Sequence, residues 1–239
     1  MKKIKQGFTL VELLVVIAIL GILMAVFVPK IADALSSANV TAMVNKGKQI
    51  VEAISQKSIK DSSNPVWPMY ENPATQDPNK NDVYNKSFGT STEYFNALFD
   101  VQNQGKKAAI SFDLLANLWG EGVAEASSGN LTKDNVAWHI LSGANNFTSS
   151  DAIPVLISRN VDVGQFPISG QENDMTKRTE KLTLGSKYPQ PFGEKACVVV
   201  LKSGAAFGLE DDKCTYKDVY EKIRVVRVPE GVKLKYLEP

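Results

Sequence analysis

The sequence predicts an α+β fold in which a long N-terminal helix packs on a mostly antiparallel β-sheet domain. Three features predict this class: an apolar run at residues 8–28, helical apolar spacing after it, and five short β-branched runs beyond residue 135. About 180 of the 239 residues follow the helix, enough for one domain with a core. We therefore expect a basic segment at 1–7, a helix at 8–56 and a globular domain at 57–239.

The first 28 residues are typical of a membrane-spanning helix that contains a single acid. Three lysines precede Gly7, and the apolar run that follows is 21 residues long, enough to cross about 30 Å of hydrocarbon. Glu12 interrupts this run near its start. A carboxylate at that depth costs about 2.5–3.5 kcal/mol on insertion scales, so Glu12 needs a partner or a function.

Two simpler interpretations of this segment account for part of the pattern. A secretory signal peptide has the same basic start, but its apolar region is usually about 7–15 residues long and contains no acid. A plain single-pass anchor explains the length, and its lysines would hold the N-terminus inside. Neither interpretation gives Glu12 a role, and both stay open as alternatives.

Residues 7–23, GFTLVELLVVIAILGIL, resemble the class III signal of type IV prepilins and of type II secretion pseudopilins. The resemblance implies that a membrane-embedded prepilin peptidase cuts between Gly7 and Phe8, which makes 1–7 a leader peptide. Phe8 then becomes an N-methylated first residue. The resemblance also implies that Glu12 neutralises the N-terminal amine of a neighbouring subunit during filament assembly.

Elementary electrostatics is compatible with that role. An isolated carboxylate and an isolated ammonium are each costly in lipid, and a contact between them relieves both costs. The new amine would lie four residues before Glu12, so an intramolecular pair on one helix face is also open. The family resemblance further implies that Gly21 and Pro29 are helix-weakening positions, since Gly lowers helix propensity and Pro removes a backbone hydrogen bond.

The resemblance implies a pilin-like structural subunit of a type IV filament system. The signal serves both secretion and pilus systems, and the lack of an evident basic or aromatic patch favours a type II secretion pseudopilin. An adhesive or DNA-uptake type IV pilin is the alternative, and a membrane-tethered extracytoplasmic binding or enzymatic domain is the alternative from another class. The implied partners are prepilin peptidase, other pilin-like subunits and an inner-membrane assembly platform. The implied location is the bacterial inner membrane, single-pass, with the domain in the periplasm, and a filament after assembly.

Composition argues against several other functions. The formal net charge is +1 and no clustered basic face is evident, which argues against a nucleic-acid partner. His139 is the single histidine and lies in an apolar run, so we interpret it as structural. No G-x-S-x-G, H-E-x-x-H, P-loop or EF-hand pattern occurs. We therefore predict that the chain is not an enzyme and that it has no catalytic residues.

Beyond Pro29 the helix is expected to continue to about residue 56 with one buried stripe, formed by Ile31, Leu35, Ala38, Ala42, Ile50, Val51 and Ile54. Residues 57–86 are rich in Pro, Asn and Asp and predict a long connection, which Trp67, Met69 and Tyr70 would pin to the domain. Helical spacing recurs at 92–99, with Thr92 as its cap, and at 111–119.

Strand signals dominate after residue 135. The five predicted strands are 136–141, 152–158, 196–201, 205–209 and 223–228. Lys202-Ser203-Gly204 suggests a hairpin between the third and the fourth. Pro154 implies that its strand is an edge strand or begins late, because proline cannot donate to a ladder.

The two cysteines and one acidic run complete the candidate sites. We favour a disulfide between Cys197 and Cys214, in line with the C-terminal disulfide loop that the family often has; a simple buried thiol is the alternative. The run Glu210-Asp211-Asp212 supplies hard oxygen ligands, and some major pseudopilins bind calcium in a comparable region. A solvated turn is the more common role of such a run, so no cofactor is predicted and calcium is kept as an alternative.

Overall fold

The predicted α+β class is confirmed by a long apolar helix and an antiparallel sheet. The computed structural model describes residues 9–60, 67, 88–99, 120, 122–124, 126, 130–143, 151–164, 166, 178–223 and 234–239. Two compact units divide the chain, Met1–Ala38 and Asn39–Pro239. Met69, Tyr70, the predicted helix at 111–119 and residues 224–228 of the fifth predicted strand lie outside the described residues.

Helix α1 spans Leu10–Lys60 and contains Pro29 in its interior. The sequence predicted its end near residue 56, four residues before the observed end. Trp67, the described residue of the following connection, is 6% exposed and belongs to the hydrophobic core, as expected for a residue that anchors the connection.

The buried stripe of α1 differs from the predicted one. Ile50, Val51 and Ile54 are buried as expected, but Ile31, Leu35, Ala38 and Ala42 are exposed. At 3.6 residues per turn, those four positions lie on roughly the opposite side of the helix from the stripe that is buried. The predicted stripe therefore combined two different helix faces, and only the face of its last three residues is buried. The stripe buried in the second unit consists of Val40, Met43, Gly47, Ile50, Val51 and Ile54.

Among the described residues, five strands form one antiparallel sheet in the order β4-β3-β2-β1-β5. Every residue of β1, β2 and β3 is buried, as their continuous apolar runs indicate. The predicted hairpin joins β3 to β4, with Gly204 at φ 84° in its turn. The strands are β1 (Trp138–Ser142), β2 (Pro154–Ser158), β3 (Ala196–Leu201), β4 (Ala206–Glu210) and β5 (Lys235–Leu237).

Pro154 is the first residue of β2, which lies between β1 and β3. The strand thus begins late, one of the two predicted outcomes, and the edge-strand alternative is wrong. Sequence patterning missed β5, which has three residues, and helix α3 (Tyr216–Lys222), which has seven. Both are too short for a periodic signal.

Helix α2 spans Ser91–Phe99, close to the prediction, but its cap is Thr90 and not Thr92. The Thr90 hydroxyl accepts a hydrogen bond from the Glu93 amide at 3.1 Å, and the Glu93 carboxylate accepts one from the Gly89 amide at 2.9 Å. This exchange is a variant of the capping box, because Glu93 accepts from the amide of Gly89, one residue before the cap, and not from that of Thr90. Thr92 lies inside the first turn, where its hydroxyl oxygen is buried and has no partner among the described residues.

Two glycines allow α1 to approach the sheet closely. A Cβ at Gly47 would lie 2.6 Å from Val200 Cγ2 and 2.8 Å from a ring carbon of Trp138. A Cβ at Gly208 would lie 2.2 Å from Val40 Cγ1. Larger residues at either position would push helix and sheet apart, so these glycines set the packing of α1 in the second unit.

Candidate assembly segment

The first half of α1 exposes its apolar side chains on all sides. Their exposed fractions range from 45% to 78%, whereas an apolar helix in a protein core would be covered. By length and composition, α1 is able to cross a membrane. The exposed side chains are Leu10, Val11, Leu13, Leu14, Val15, Val16, Ile17, Ile19, Leu20, Ile22, Leu23, Met24, Val26, Phe27, Val28, Ile31 and Leu35.

Glu12 lies in the first turn of this apolar helix and is exposed. Glu12 Oε2 accepts hydrogen bonds from the Thr9 amide at 2.8 Å and from the Thr9 hydroxyl at 2.6 Å. The Glu12 amide donates to Thr9 Oγ1 at 3.3 Å, which completes a capping box. Thr9-x-x-Glu12 is the sequence signature of this motif, so Thr9 is identifiable from the sequence. Gly7 and Phe8, the predicted processing residues, lie outside the described residues.

Gly21 and Pro29 lie within the continuous α1 helix. Apart from the backbone of its own helix, a Cβ at Gly21 would meet no heavy atom of the described residues within 4 Å, so no packing contact among them requires this glycine. The predicted role of both residues, to let the helix weaken in an assembly, stays a prediction.

Cys197 and Cys214 are both buried and are free thiols in the structure. Cys197 lies on β3 opposite Leu209, and the Cys214 thiol donates to the Leu209 carbonyl at 3.3 Å. The hydrogen bond between the two thiols, together with burial, raises the pKa of Cys197, and the same hydrogen bond lowers the pKa of Cys214. The thiols are therefore neighbours, and the disulfide stays a prediction for the oxidised chain.

The acidic run begins at the end of β4 and continues into a 3₁₀ turn, Asp211–Lys213. Asp211 and Asp212 are exposed, and Asp212 forms an ion pair with Lys181 at 3.0 Å. Among the described residues, no three His, Cys, Asp or Glu side chains converge into a group that could hold a metal ion. Calcium binding by Glu210, Asp211 and Asp212 stays a prediction, and it should be abandoned if EDTA leaves the melting temperature unchanged.

His139 is buried in β1 and serves as a hydrogen-bond donor to backbone. Its Nε2 lies 2.9 Å from the Arg159 carbonyl oxygen and 3.1 Å from that of Val161. Because both partners are acceptors, Nε2 carries the proton. Nδ1 is buried and has no partner within the described part of the chain. Burial lowers the pKa of His139 to about 4, so the ring is neutral at pH 7, as expected of a structural histidine.

The neighbouring Arg159 binds four backbone carbonyls and also lies in the core. Its Nε donates to Gln190 at 2.8 Å, and Nη1 donates to Val136 and Lys133 at 3.0 Å and to Asp134 at 3.3 Å. These bonds from Nε and Nη1 hold two connections against the sheet, which gives Arg159 a structural role.

Comparison with family models identifies residues 2–28 as a prokaryotic N-terminal methylation motif. Comparison with curated proteins and with solved structures gives no significant match. The matched stretch includes Glu12 and most of the exposed apolar part of α1. The chain thus carries, at its N-terminus, the methylation motif of type IV pilin-like proteins.

Proposed function

We propose that this chain is a structural subunit of a type IV filament system, most specifically a type II secretion pseudopilin. Prepilin peptidase would cut between Gly7 and Phe8, and the mature subunit would then assemble through α1. The subunit would wait in the bacterial inner membrane with its domain in the periplasm, and an assembly platform would add it to the filament.

The exposed apolar half of α1, with Glu12 in its first turn, carries this proposal. Such a surface requires lipid or other protein around it, because uncovered apolar area is unfavourable in water. Glu12 favours a change of surroundings from lipid to neighbouring subunits, since pairing with an ammonium relieves the cost of a carboxylate in lipid. The methylation motif over the same residues supports this order of events.

A Glu12→Ala variant tests the mechanism. We expect it to insert into membranes as well as wild type or better, because a charge is removed from the apolar segment, while incorporation into sheared or secretion-dependent filaments is lost. Glu93→Ala is the matched control, since Glu93 occupies the same position in the capping box of α2. Equal assembly of wild type and Glu12→Ala would contradict the mechanism.

Separation of cell membranes from sheared filaments tests the other classes of function. A membrane-tethered binding or enzymatic domain would stay in membranes as a monomer and would not enter filaments. Loss of protein secretion on deletion would support the pseudopilin, whereas loss of adhesion or DNA uptake with normal secretion would support the pilin. The absence of an evident basic or aromatic patch from the sequence favours the pseudopilin.

A further inference from the structure

The tripeptide Asn-x-Ser/Thr is the acceptor sequence for N-linked glycans, and this chain contains four copies of it. The copies begin at Asn39, Asn85, Asn130 and Asn146. Because the tripeptide requires both the asparagine and the hydroxyl two residues later, a transferase needs access to both side chains on a surface segment. The copies at Asn85 and Asn146 lie outside the described residues. The structure distinguishes the other two.

The copy Asn39-Val40-Thr41 lies inside helix α1. Side chains two residues apart in a helix point about 200° apart, so Asn39 and Thr41 face different sides of α1. Asn39 is partly buried, and Val40 between the two is packed in the core with 3% exposure. This copy does not present its amide and its hydroxyl together.

The copy Asn130-Leu131-Thr132 lies between α2 and β1 and outside any helix or strand. Its middle residue is anchored, because the Asn96 side chain accepts from the Leu131 amide at 2.7 Å and donates to the Leu131 carbonyl at 2.8 Å. Leu131 is 3% exposed, whereas Asn130 and Thr132 on either side of it are exposed. Among the described residues, no hydrogen bond engages the side-chain amide of Asn130. That amide is therefore accessible and has no competing partner there.

Thr132 is held at the surface by a second side chain. Its hydroxyl and its amide both donate to Asn135 Oδ1, at 2.7 Å and 2.8 Å. Asn135 is itself fixed, since its Nδ2 donates to the Ala124 carbonyl at 2.9 Å. A hydroxyl has one donor and two acceptor sites, so the lone pairs of Thr132 Oγ1 stay open to a donor from another protein. The fold thus exposes both functional groups of this tripeptide.

We propose that Asn130 is the acceptor of an N-linked glycan. The inference rests on the proposed function, because a periplasmic domain meets a transferase and an oligosaccharide carried on a polyprenyl diphosphate. Nδ2 of Asn130 forms a bond to C1 of the first sugar, and the bond between C1 and the diphosphate oxygen breaks. The polyprenyl diphosphate leaves with that electron pair, and the amide gives one proton to a base of the transferase.

Peptide mapping by mass spectrometry tests this on the full chain purified from its native cells. Trypsin cuts after Lys and Arg, so the four tripeptides fall in four different peptides: residues 31–46, 81–86, 108–133 and 134–159. We expect peptide 108–133 to gain the mass of a glycan and peptide 31–46 to keep its unmodified mass. An unmodified peptide 108–133 would overturn the proposal.

Variants of the full-length chain assign the modification to one residue. Asn130→Gln and Thr132→Ala should each abolish the mass gain of peptide 108–133, since the first removes the acceptor and the second removes the hydroxyl. Thr132→Ser should retain the gain, because serine also completes the tripeptide, and Asn39→Gln is the matched control that leaves it unchanged. Because Asn130 is exposed, Asn130→Gln should melt at the wild-type temperature. A mass gain that persists in Asn130→Gln would refute the assignment.

The N-terminal peptide of the same digest distinguishes the failure of this proposal from that of the proposed function. A chain that begins at N-methylated Phe8 and has an unmodified peptide 108–133 contradicts only the glycan on Asn130. A chain that still begins at Met1 contradicts the proposed function, whatever the mass of peptide 108–133.

Discussion

The two halves of helix α1 have similar apolar side chains and opposite surroundings. Ile17 in the first unit is 60% exposed, whereas Ile50 in the second unit is fully buried. Both halves are helical, so the difference between them lies in what covers their side chains. The second half obtains its stability from contacts within the domain, and the first half must obtain it from a membrane or from other subunits.

The largest expected effect separates the halves by a matched substitution. Ile50→Ala should lower the free energy of unfolding of the second unit by about 2–5 kcal/mol, because it leaves a cavity in the core. Ile17→Ala should leave that free energy unchanged, since its side chain is exposed. Denaturant titration of the full-length chain in detergent measures both. Equal losses of unfolding free energy in the two variants would contradict the difference in burial between the two halves of α1.

Any loss of unfolding free energy in acid that is due to a histidine should occur in the second unit alone, because His139 is the single histidine of the chain. Its pKa is about 4 in the folded chain against an ordinary value of 6.5, through burial and, in smaller part, through Arg159 and Lys187. The unfolded chain binds the proton first, so this stabilisation is complete above pH 6.5 and is lost as the pH falls towards 4. The loss should total about 3 kcal/mol.

Denaturant titrations at several pH values check this, with His139→Gln as the control. Glutamine retains an N–H donor and does not titrate, so the variant should show a flatter dependence of stability on pH between 6.5 and 4. Identical slopes for wild type and variant would show that His139 is not responsible.

Glycine-to-alanine substitutions should have opposite signs in the two halves. Gly47→Ala should destabilise the second unit by about 1–3 kcal/mol, because its methyl group would overlap Val200 and Trp138. Gly21→Ala should favour the helix by about 1 kcal/mol, since, apart from the helix's own backbone, no described residue has an atom within 4 Å of the added methyl group. Circular dichroism during denaturation reports both changes. A destabilising Gly21→Ala would reveal a contact within the chain at that position.

The smallest expected effect concerns the cap of α2, the counterpart in the second unit of the Thr9 cap. Thr90→Ala should cost about 1 kcal/mol, because the Glu93 amide loses its acceptor. Thr92→Ala should cost much less, since its buried hydroxyl oxygen has no partner among the described residues. Thermal melts of the two variants should therefore differ, and equal melting temperatures would place the cap elsewhere.

The sequence predicted the fold class, four of the five described strands and the position of Glu12, because long periodic segments and a charge in an apolar run are strong signals. The prediction failed where one periodic pattern is compatible with more than one buried helix face. Helical spacing placed Ile31, Leu35, Ala38 and Ala42 together on one face of α1. The buried face is a different one, because tertiary contacts around Val40 and Gly47 determine which face packs on the sheet.

Short elements and caps were missed for a different reason. Strand β5 has three residues, and its pairing with β1 connects positions almost a hundred residues apart, which no local pattern records. Thr9 and Thr90 were identifiable, since both precede a glutamate by three residues. The predicted Thr92 cap was wrong because Thr90 precedes a glutamate by three residues, whereas Phe95 stands three residues after Thr92.

N-terminal mass spectrometry of the protein purified from cells with its native prepilin peptidase tests the central claim most directly. Assembly through α1 requires a mature chain that begins at N-methylated Phe8, with Glu12 in the first turn of its exposed helix. A chain that still begins at Met1, or one that is cut beyond Val28, would contradict the assignment of the first half of α1 to filament assembly.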